Sequence, residues 1–270
     1  MNYLQSHSVV HPKAKVGENV TIGPFTFIDE DVEIGDGTWI GPNVTIFNGA
    51  RIGKNCKIFP GAVISGVPQD LKFQGEESIA VIGDNTIIRE YVTVNRGTAY
   101  AHQTRVGSHC LLMAYVHIAH DCILGDHVIL ANNVNLAGHV EIEDWVILEG
   151  LVAVQQFTKI GKHSFIAGAS LVRKNVPPYI KAAREPLAYA GVNGIGLRRR
   201  NFPEETINQI HEIYRILFVK GYNISNALDE IESTIEPTPE RESILSFIRQ
   251  AETGIVRGFH KVNGSSVYED

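Results

Sequence analysis

The sequence is short of cysteine, of basic charge and of long apolar runs, and each shortage removes a class of protein. Three cysteines in 270 residues, Cys56, Cys110 and Cys122, are too few and too scattered for a disulfide framework. Net charge is −6, from 24 Lys+Arg against 30 Asp+Glu, which argues against a nucleic-acid partner. No apolar run reaches the ~18 residues of a membrane span, so none is expected. The start, Met1-Asn2-Tyr3-Leu4-Gln5-Ser6-His7, lacks the basic-then-apolar order of a signal peptide. Together these shortages point to a cytoplasmic protein. Apolar residues make up 44% of the chain, enough for a sizeable core.

What the chain does have is a repeat of six. Aliphatic residues recur from Val10 and Val16 through Ile22, Ile28, Ile34, Ile40, Ile46, Ile52 and Ile58 to Ile64. The series resumes at Ile82, Ile88 and Val94, and again from Val106 to Val172. Four residues after each aliphatic sits a small residue, such as Thr26, Val44, Ala62, Cys122 or Val140. Neither a 3.6-residue period nor plain alternation produces this pattern. A hexapeptide repeat with two inward positions does: each hexad is a short strand and a turn, three hexads close one coil, and coils stack in parallel. The three cysteines fall on the small inward position and read as buried hydrophobes.

Two stretches break the count, near 66–78 and 97–104. Positions 70, 76 and 100 hold Asp, Glu and Tyr where aliphatics would continue it. Both read as excursions looping out of the coil, where solenoids tend to carry function. Past Val176-Pro177-Pro178-Tyr179 the hexads stop. Pro203-Glu204-Glu205 opens a helix with an Ile207, Ile210, Tyr214, Leu217 stripe. Ser225 is expected to cap a second helix, and Thr238 a third. The division expected is a β-helix over residues 1–190 and a helical region over 191–270 that covers its end.

A coil of 18 residues turns sequence into geometry, because residues 18 apart stack about 4.8 Å apart. His120, Gly138 and Gln156 form one such column, and Asp121 and His139 flank it. His117 lies near the same corner. Two histidines, a carboxylate and an amide around a glycine make a proton-transfer site. Histidine titrates near neutral pH, a carboxylate can hold its tautomer, and a glycine N–H is open to a developing oxyanion. Two other readings compete. His117, His120 and His139 could turn to one zinc ion, as in hexapeptide carbonic anhydrases. A non-catalytic scaffold would not need the column at all. His109, His127 and His163 read as ordinary surface residues.

Particular segments resemble a known family. His117-Ile118-Ala119-His120-Asp121-Cys122, Leu130-Ala131-Asn132-Asn133 and Leu136-Ala137-Gly138-His139-Val140 are similar to the UDP-N-acetylglucosamine O-acyltransferases of lipid A synthesis. So are Gln69-Asp70-Leu71-Lys72, Arg96-Gly97-Thr98, Gln156-Phe157 and Gly191-Val192-Asn193. The resemblance implies a left-handed parallel β-helix and transfer of a 3-hydroxyacyl chain from acyl carrier protein to the 3-hydroxyl of UDP-N-acetylglucosamine. It implies a homotrimer and no cofactor or metal. It makes His120 the general base, Asp121 its partner and Gly138 N–H the oxyanion donor. Asp70, Lys72, His117, His139 and Gln156 would hold sugar, phosphates or acyl hydroxyl. Asn193, Arg199 and Arg200 would face the nucleotide, and Gly168 would leave the acyl groove open to a long chain. Asn95, Gln155 and Ile195 depart from the pattern, standing where the family would have histidine, histidine and a glutamate near the ribose. The related lipid A N-acyltransferases are a second reading, although they carry a further N-terminal domain.

Overall fold

Two residues per strand are too few to hold a sheet unaided, so the stacking of coils carries the stability. In Thr21–Ile22, Phe27–Ile28 and Trp39–Ile40 the second residue turns inward and is buried, while the first lies on the outer wall. Each such isoleucine contributes about 1.5–3 kcal/mol by leaving water. The computed structural model describes residues 7–258; residues 1–6 and 259–270, the outer ends of the expected two-part division, lie outside the described residues. Three sheets form the walls of a triangular prism, with nine, eight and ten strands. The first face runs from Val9–Val10 to Leu171–Val172. The second runs from Lys15–Val16 to Lys159–Ile160, and the third starts at Thr21–Ile22. Strands pair in parallel with partners 18 residues apart, as in His117↔Asn135 and Asn135↔Ala153. The architecture is a left-handed parallel β-helix.

The walls meet at corners that demand a left-handed backbone. Asn133, His139 and Trp145, six residues apart, have φ of 61°, 61° and 63°. Side chains other than glycine enter this region at a cost, which the repeated stacking offsets. The first corner joins the first face to the second, the second corner joins the second to the third, and the third closes the coil.

The chain leaves the prism twice, both times at the first corner. Between Val63–Gly66 and Ile79–Ile82 the partners lie 30 residues apart (Val63↔Thr93), so twelve residues are extra. Between Thr93–Asn95 and Gln103–Val106 they lie 24 apart (Thr93↔His117), so six are extra. Cys56, Cys110 and Cys122 are buried among the inward small residues. Burial pushes the Cys110 thiol up to about 11 and that of Cys122 to about 12, so neither is a nucleophile at neutral pH.

Hexads give way to an antiparallel hairpin, Ile180–Ala183 with Ala188–Val192, which extends the third sheet. The hexad count overlooks this element, whose signal is plain alternation in its first strand: Ile180 and Ala182 buried, Lys181 exposed. Among the described residues four helices follow: α1 (Gly194–Arg199), α2 (Glu204–Phe218), α3 (Ile224–Thr234) and α4 (Pro239–Arg249). Buried Ile207, Ile210, Tyr214 and Leu217 seat α2. The Tyr214 hydroxyl donates to Pro178 O at 2.6 Å, tying α2 to the last turn of the coil. Thr238 caps α4, but the expected Ser225 cap of α3 is corrected. Asn223 has the extended backbone of a cap and accepts Asn226 N–H at 2.8 Å, leaving Ser225 inside the first turn.

Candidate active site

Asp121 is a carboxylate that the fold encloses completely, its side chain showing no exposed surface. It sits at the first corner with φ 59°, facing back toward the second excursion. Its Oδ1 accepts the N–H groups of Thr98 (2.9 Å) and Ala101 (3.3 Å). Its Oδ2 accepts the Thr98 hydroxyl (2.6 Å) and pairs with His120 Nδ1 (2.8 Å). Burial pushes this carboxyl up, but the Thr98 hydroxyl, the Thr98 N–H and His120 outweigh it and hold it below the ordinary range. The ionised group only accepts hydrogen bonds, so His120 Nδ1 carries the proton and donates. The lone pair of Nε2 is left to take another.

Gly138 lies one coil on, under the imidazole. A Cβ built there would stand 2.6 Å from His120 Cε1 and 2.8 Å from Nε2, so only glycine fits beneath the ring as it lies. The Gly138 N–H meets no acceptor among the described residues. It is therefore available to an oxyanion.

Around this pair stand further histidines. His139 meets His120 edge-on at 5.0 Å, lies flat on Phe157 at 4.4 Å, and has Tyr100 against its edge at 4.5 Å. Burial lowers the His139 pKa, and its Nδ1 is enclosed without a hydrogen-bond partner. His117 Nδ1 bonds the Thr93 hydroxyl at 2.7 Å, and burial followed by His120 lowers its pKa. Asp70 and Lys72, in the first excursion, bear on His139 with opposite signs. Asp70 Oδ1 accepts Lys72 N–H at 2.9 Å, which shapes that turn. Gln156 is exposed at the same corner, one coil past Gly138.

The remaining sequence-derived residues occupy the other two corners. Asn193 and Arg200 are at the second corner. Arg200 lies over Trp145 at 5.0 Å and donates to Trp145 O at 3.1 Å. Burial lowers its pKa. Asn193 is buried; its Nδ2 donates to His163 O and its Oδ1 caps α1. Arg199 ends α1 and is exposed. Gly168 is exposed at the third corner, its N–H held by Glu149 Oε2 at 3.0 Å. Of the departures, Gln155 and Ile195 are exposed. Asn95 is buried at the base of the first excursion, where its Nδ2 donates to Val67 O at 3.1 Å.

The surface reading of His163 is corrected. It is 9% exposed, between Trp145 and Tyr179, with Phe202 across its edge, and burial drives its pKa down to about 4. Thr98 is the residue that sequence reasoning passed over. The only signal for it was the Arg96-Gly97-Thr98 motif, to which no role was attached.

The side-chain ligand atoms of His120, Asp121 and His139 lie within 4.8 Å of one another, the spacing a cation would need. The four hydrogen bonds on Asp121 fill the lone pairs of that carboxylate, and Thr93 engages one nitrogen of His117. The donor set is arranged for proton transfer rather than for tetrahedral zinc.

Three family models match the sequence. One, described as UDP N-acetylglucosamine O-acyltransferase domain 2, matches residues 175–256. The bacterial transferase hexapeptide model matches residues 103–138, and the GMPPB C-terminal domain model residues 4–114. The chain is 51% identical over 249 residues to an acyl-[acyl-carrier-protein]--UDP-N-acetylglucosamine O-acyltransferase of Sulfurihydrogenibium sp., covering 92% of each. It is 43% identical to the enzyme of that name from Myxococcus xanthus, over 95% of this chain and 100% of the relative. The crystal structure of a UDP-N-acetylglucosamine acyltransferase from Bacteroides fragilis superposes with a TM-score of 0.92 at 49% identity, over 94% of this chain and 100% of that one.

Proposed function

The chain belongs to the acyl-[acyl-carrier-protein]--UDP-N-acetylglucosamine O-acyltransferase family, and from that premise we propose that His120 is its general base. The reaction moves an acyl group from acyl carrier protein to UDP-N-acetylglucosamine, the first step of lipid A biosynthesis. The O-acyltransferase name of the relatives leaves the N-acyltransferase and carbonic anhydrase alternatives without support. In our reading the acyl group is a 3-hydroxyacyl chain and the attacking group is the sugar 3-hydroxyl.

His120 Nε2 takes the proton of that hydroxyl as its oxygen bonds to the thioester carbonyl carbon. Asp121, ionised and enclosed, stabilises the imidazolium so formed. The carbonyl oxygen becomes an oxyanion, to which Gly138 N–H is the open donor. When the C–S bond breaks, the departing thiolate takes the proton back from His120. The observation that carries this reading is the Asp121–His120 bond above a glycine that no other residue can replace without moving the ring. In His120→Ala, kcat should fall ~10²–10⁴-fold while the protein stays folded. Wild-type activity in the purified variant ends the assignment.

Charge over the three faces supports a homotrimer. The second face carries Lys15, Glu33, Arg51, Arg105, Glu141 and Lys159 outward. Among the described residues the first face turns no Asp, Glu, Lys or Arg outward; its wall includes Phe27, Val63, Ala153 and Leu171, with His117. The third carries Trp39, Leu111, Ile129, Ile147 and Phe165, with Lys57 and Lys181. Threefold packing of first face on third buries the apolar walls about the third corner. It also sets the first corner of one subunit, with His120, beside the second corner of the next, against which Arg200 packs with Arg199 one residue before it. Residues on separate corners of one chain then serve a single site, with Asn193 bracing the second corner. A mass near three times 29.8 kDa in solution is the check. Residues to about 190 serve as the coil and the rest as its cover. The three unpaired, buried thiols support a cytoplasmic setting.

A further inference from the structure

The two excursions rise from the same corner on neighbouring coils, and one carboxylate joins them away from their bases. Glu76, in the first excursion, accepts Ala99 N–H through Oε1 at 2.8 Å. Its Oε2 accepts Gln74 N–H at 2.9 Å. Ala99 follows Thr98, whose N–H and hydroxyl hold Asp121. Gln74 lies two residues past Lys72. Other contacts also cross between the excursions, among them His102 Nδ1 with Glu77 O at 3.2 Å. Arg96 N–H donates to Gly66 O at 3.0 Å and Asn95 Nδ2 to Val67 O. The Arg96 guanidinium covers the Phe73 ring at 5.5 Å.

We propose that Glu76 is a positioning residue that couples the Asp70–Lys72 turn to the Thr98–Asp121–His120 chain. The proposal rests on the catalytic reading above. One oxygen of Glu76 fixes the strap that grips Asp121, and the other fixes the turn that carries the substrate-contact residues. The second loop is already held to the coil through Asp121, and the loops also meet where Arg96 covers Phe73 and His102 Nδ1 lies 3.2 Å from Glu77 O, so Glu76 adds the charged link between the Lys72–Gln74 side of one loop and the Thr98–Ala99 strap of the other. Its backbone partners, Gln74 N–H foremost, also keep it ionised, which makes both bonds charge-assisted. Catalysis depends on alignment to about 1 Å, so a strap free to drift costs turnover.

The experiment uses the full chain and four variants: Glu76→Ala, Glu76→Gln, Thr98→Val and the Glu76→Ala/Thr98→Val double. Rates are measured against UDP-N-acetylglucosamine at saturating acyl-acyl carrier protein, with thermal unfolding in parallel. Glu76→Ala should lower kcat about tenfold, the size of one charge-assisted hydrogen bond, and raise KM for the sugar nucleotide. Glu76→Gln separates the two ends. Its amide oxygen still accepts Ala99 N–H, so kcat stays within about threefold, but its NH₂ faces Gln74 N–H and KM rises. In the Thr98→Val background, Glu76→Ala should cost less than about threefold further, because both act through Asp121. Wild-type kcat in a folded Glu76→Ala, unchanged KM in Glu76→Gln, or fully multiplicative losses in the double variant would each overturn the coupling. Should Glu76→Ala unfold, the KM of Glu76→Gln decides alone. A wild-type chain without acyl transfer refutes the catalytic reading, and the coupling with it; a wild-type chain with transfer isolates Glu76.

Discussion

Replacing Gly138 by alanine adds one methyl group at the point where the coil and the imidazole come closest. Gly138 has a backbone that an L-residue adopts freely, since its φ lies outside the left-handed region. The cost therefore falls on His120 rather than on the main chain. An unstrained carbon–carbon contact needs about 3.5 Å, so with the Cβ at 2.6 Å from Cε1 the ring must retreat by roughly 0.9 Å. Nδ1 now stands 2.8 Å from Asp121 Oδ2, and a tilt of that size strains the bond that sets the tautomer. It also moves Nε2 away from the attacking hydroxyl. A misplacement of about 1 Å costs on the order of 10²-fold in rate, so Gly138→Ala should lower kcat by that factor. The KM for UDP-N-acetylglucosamine should change far less, because no binding group is removed. The assay is steady-state acyl transfer with both substrates varied, alongside urea unfolding. If kcat stays within threefold of wild type in a folded variant, the imidazole is not held over Gly138 during turnover, and the argument from its contact fails.

Two more outcomes follow from the geometry. His163 is buried and neutral, with a pKa near 4 against an ordinary value near 6.5. The unfolded chain binds this proton first as pH falls, so the site's contribution to stability is complete above about 6.5 and is lost progressively toward 4. His163→Phe keeps a ring in the stack and removes the titration. Its stability should fall less than that of wild type between pH 7 and pH 4.5, and parallel losses would refute the assignment. Gly168 gives a test of chain length. A Cβ there would lie 3.2 Å from Gly150 O, so a larger side chain must turn outward from that corner. Gly168→Met should shift preference from donors of about fourteen carbons toward about ten, each methylene being worth ~0.8 kcal/mol. An unchanged preference would remove Gly168 from the groove.

The coil was legible in the sequence because packing inside a triangular prism demands an aliphatic every sixth residue, and Ile118, Leu124 and Leu130 supply it without a gap. The same period carried His120 to Gly138, since both lie on the coil itself. Thr98 was not legible for the matching reason. It bonds Asp121 across 23 residues, which is not a multiple of six, because an excursion obeys no register. His163 reads as surface in the repeat, where its counterparts His109 and His127 are more open. Its burial comes from Phe202 and Tyr179, residues that belong to the end of the coil and its cover. The cap of α3 was misplaced by two residues because Asn223 and Ser225 are both good cap formers, and only backbone geometry separates them.

The first excursion adds twelve residues at a corner and leaves the pairing of the walls in step, apart from a bulge between Ile64 and Gly66 where the chain departs from the first face. Val81 pairs with Arg51 across it, and Val63 with Thr93, as they would in a coil of ordinary size lengthened by that amount. Excising residues 67–78 would join Gly66 to Ile79 and restore an 18-residue turn there. The coil, which keeps His120, Asp121 and Gly138, is thus separable by a single cut from the loop that carries Asp70, Lys72 and Glu76. A chain so trimmed should still wind, stack and melt as a solenoid, and its silence in an acyl-transfer assay would measure what twelve residues of loop do for an enzyme whose framework has no need of them.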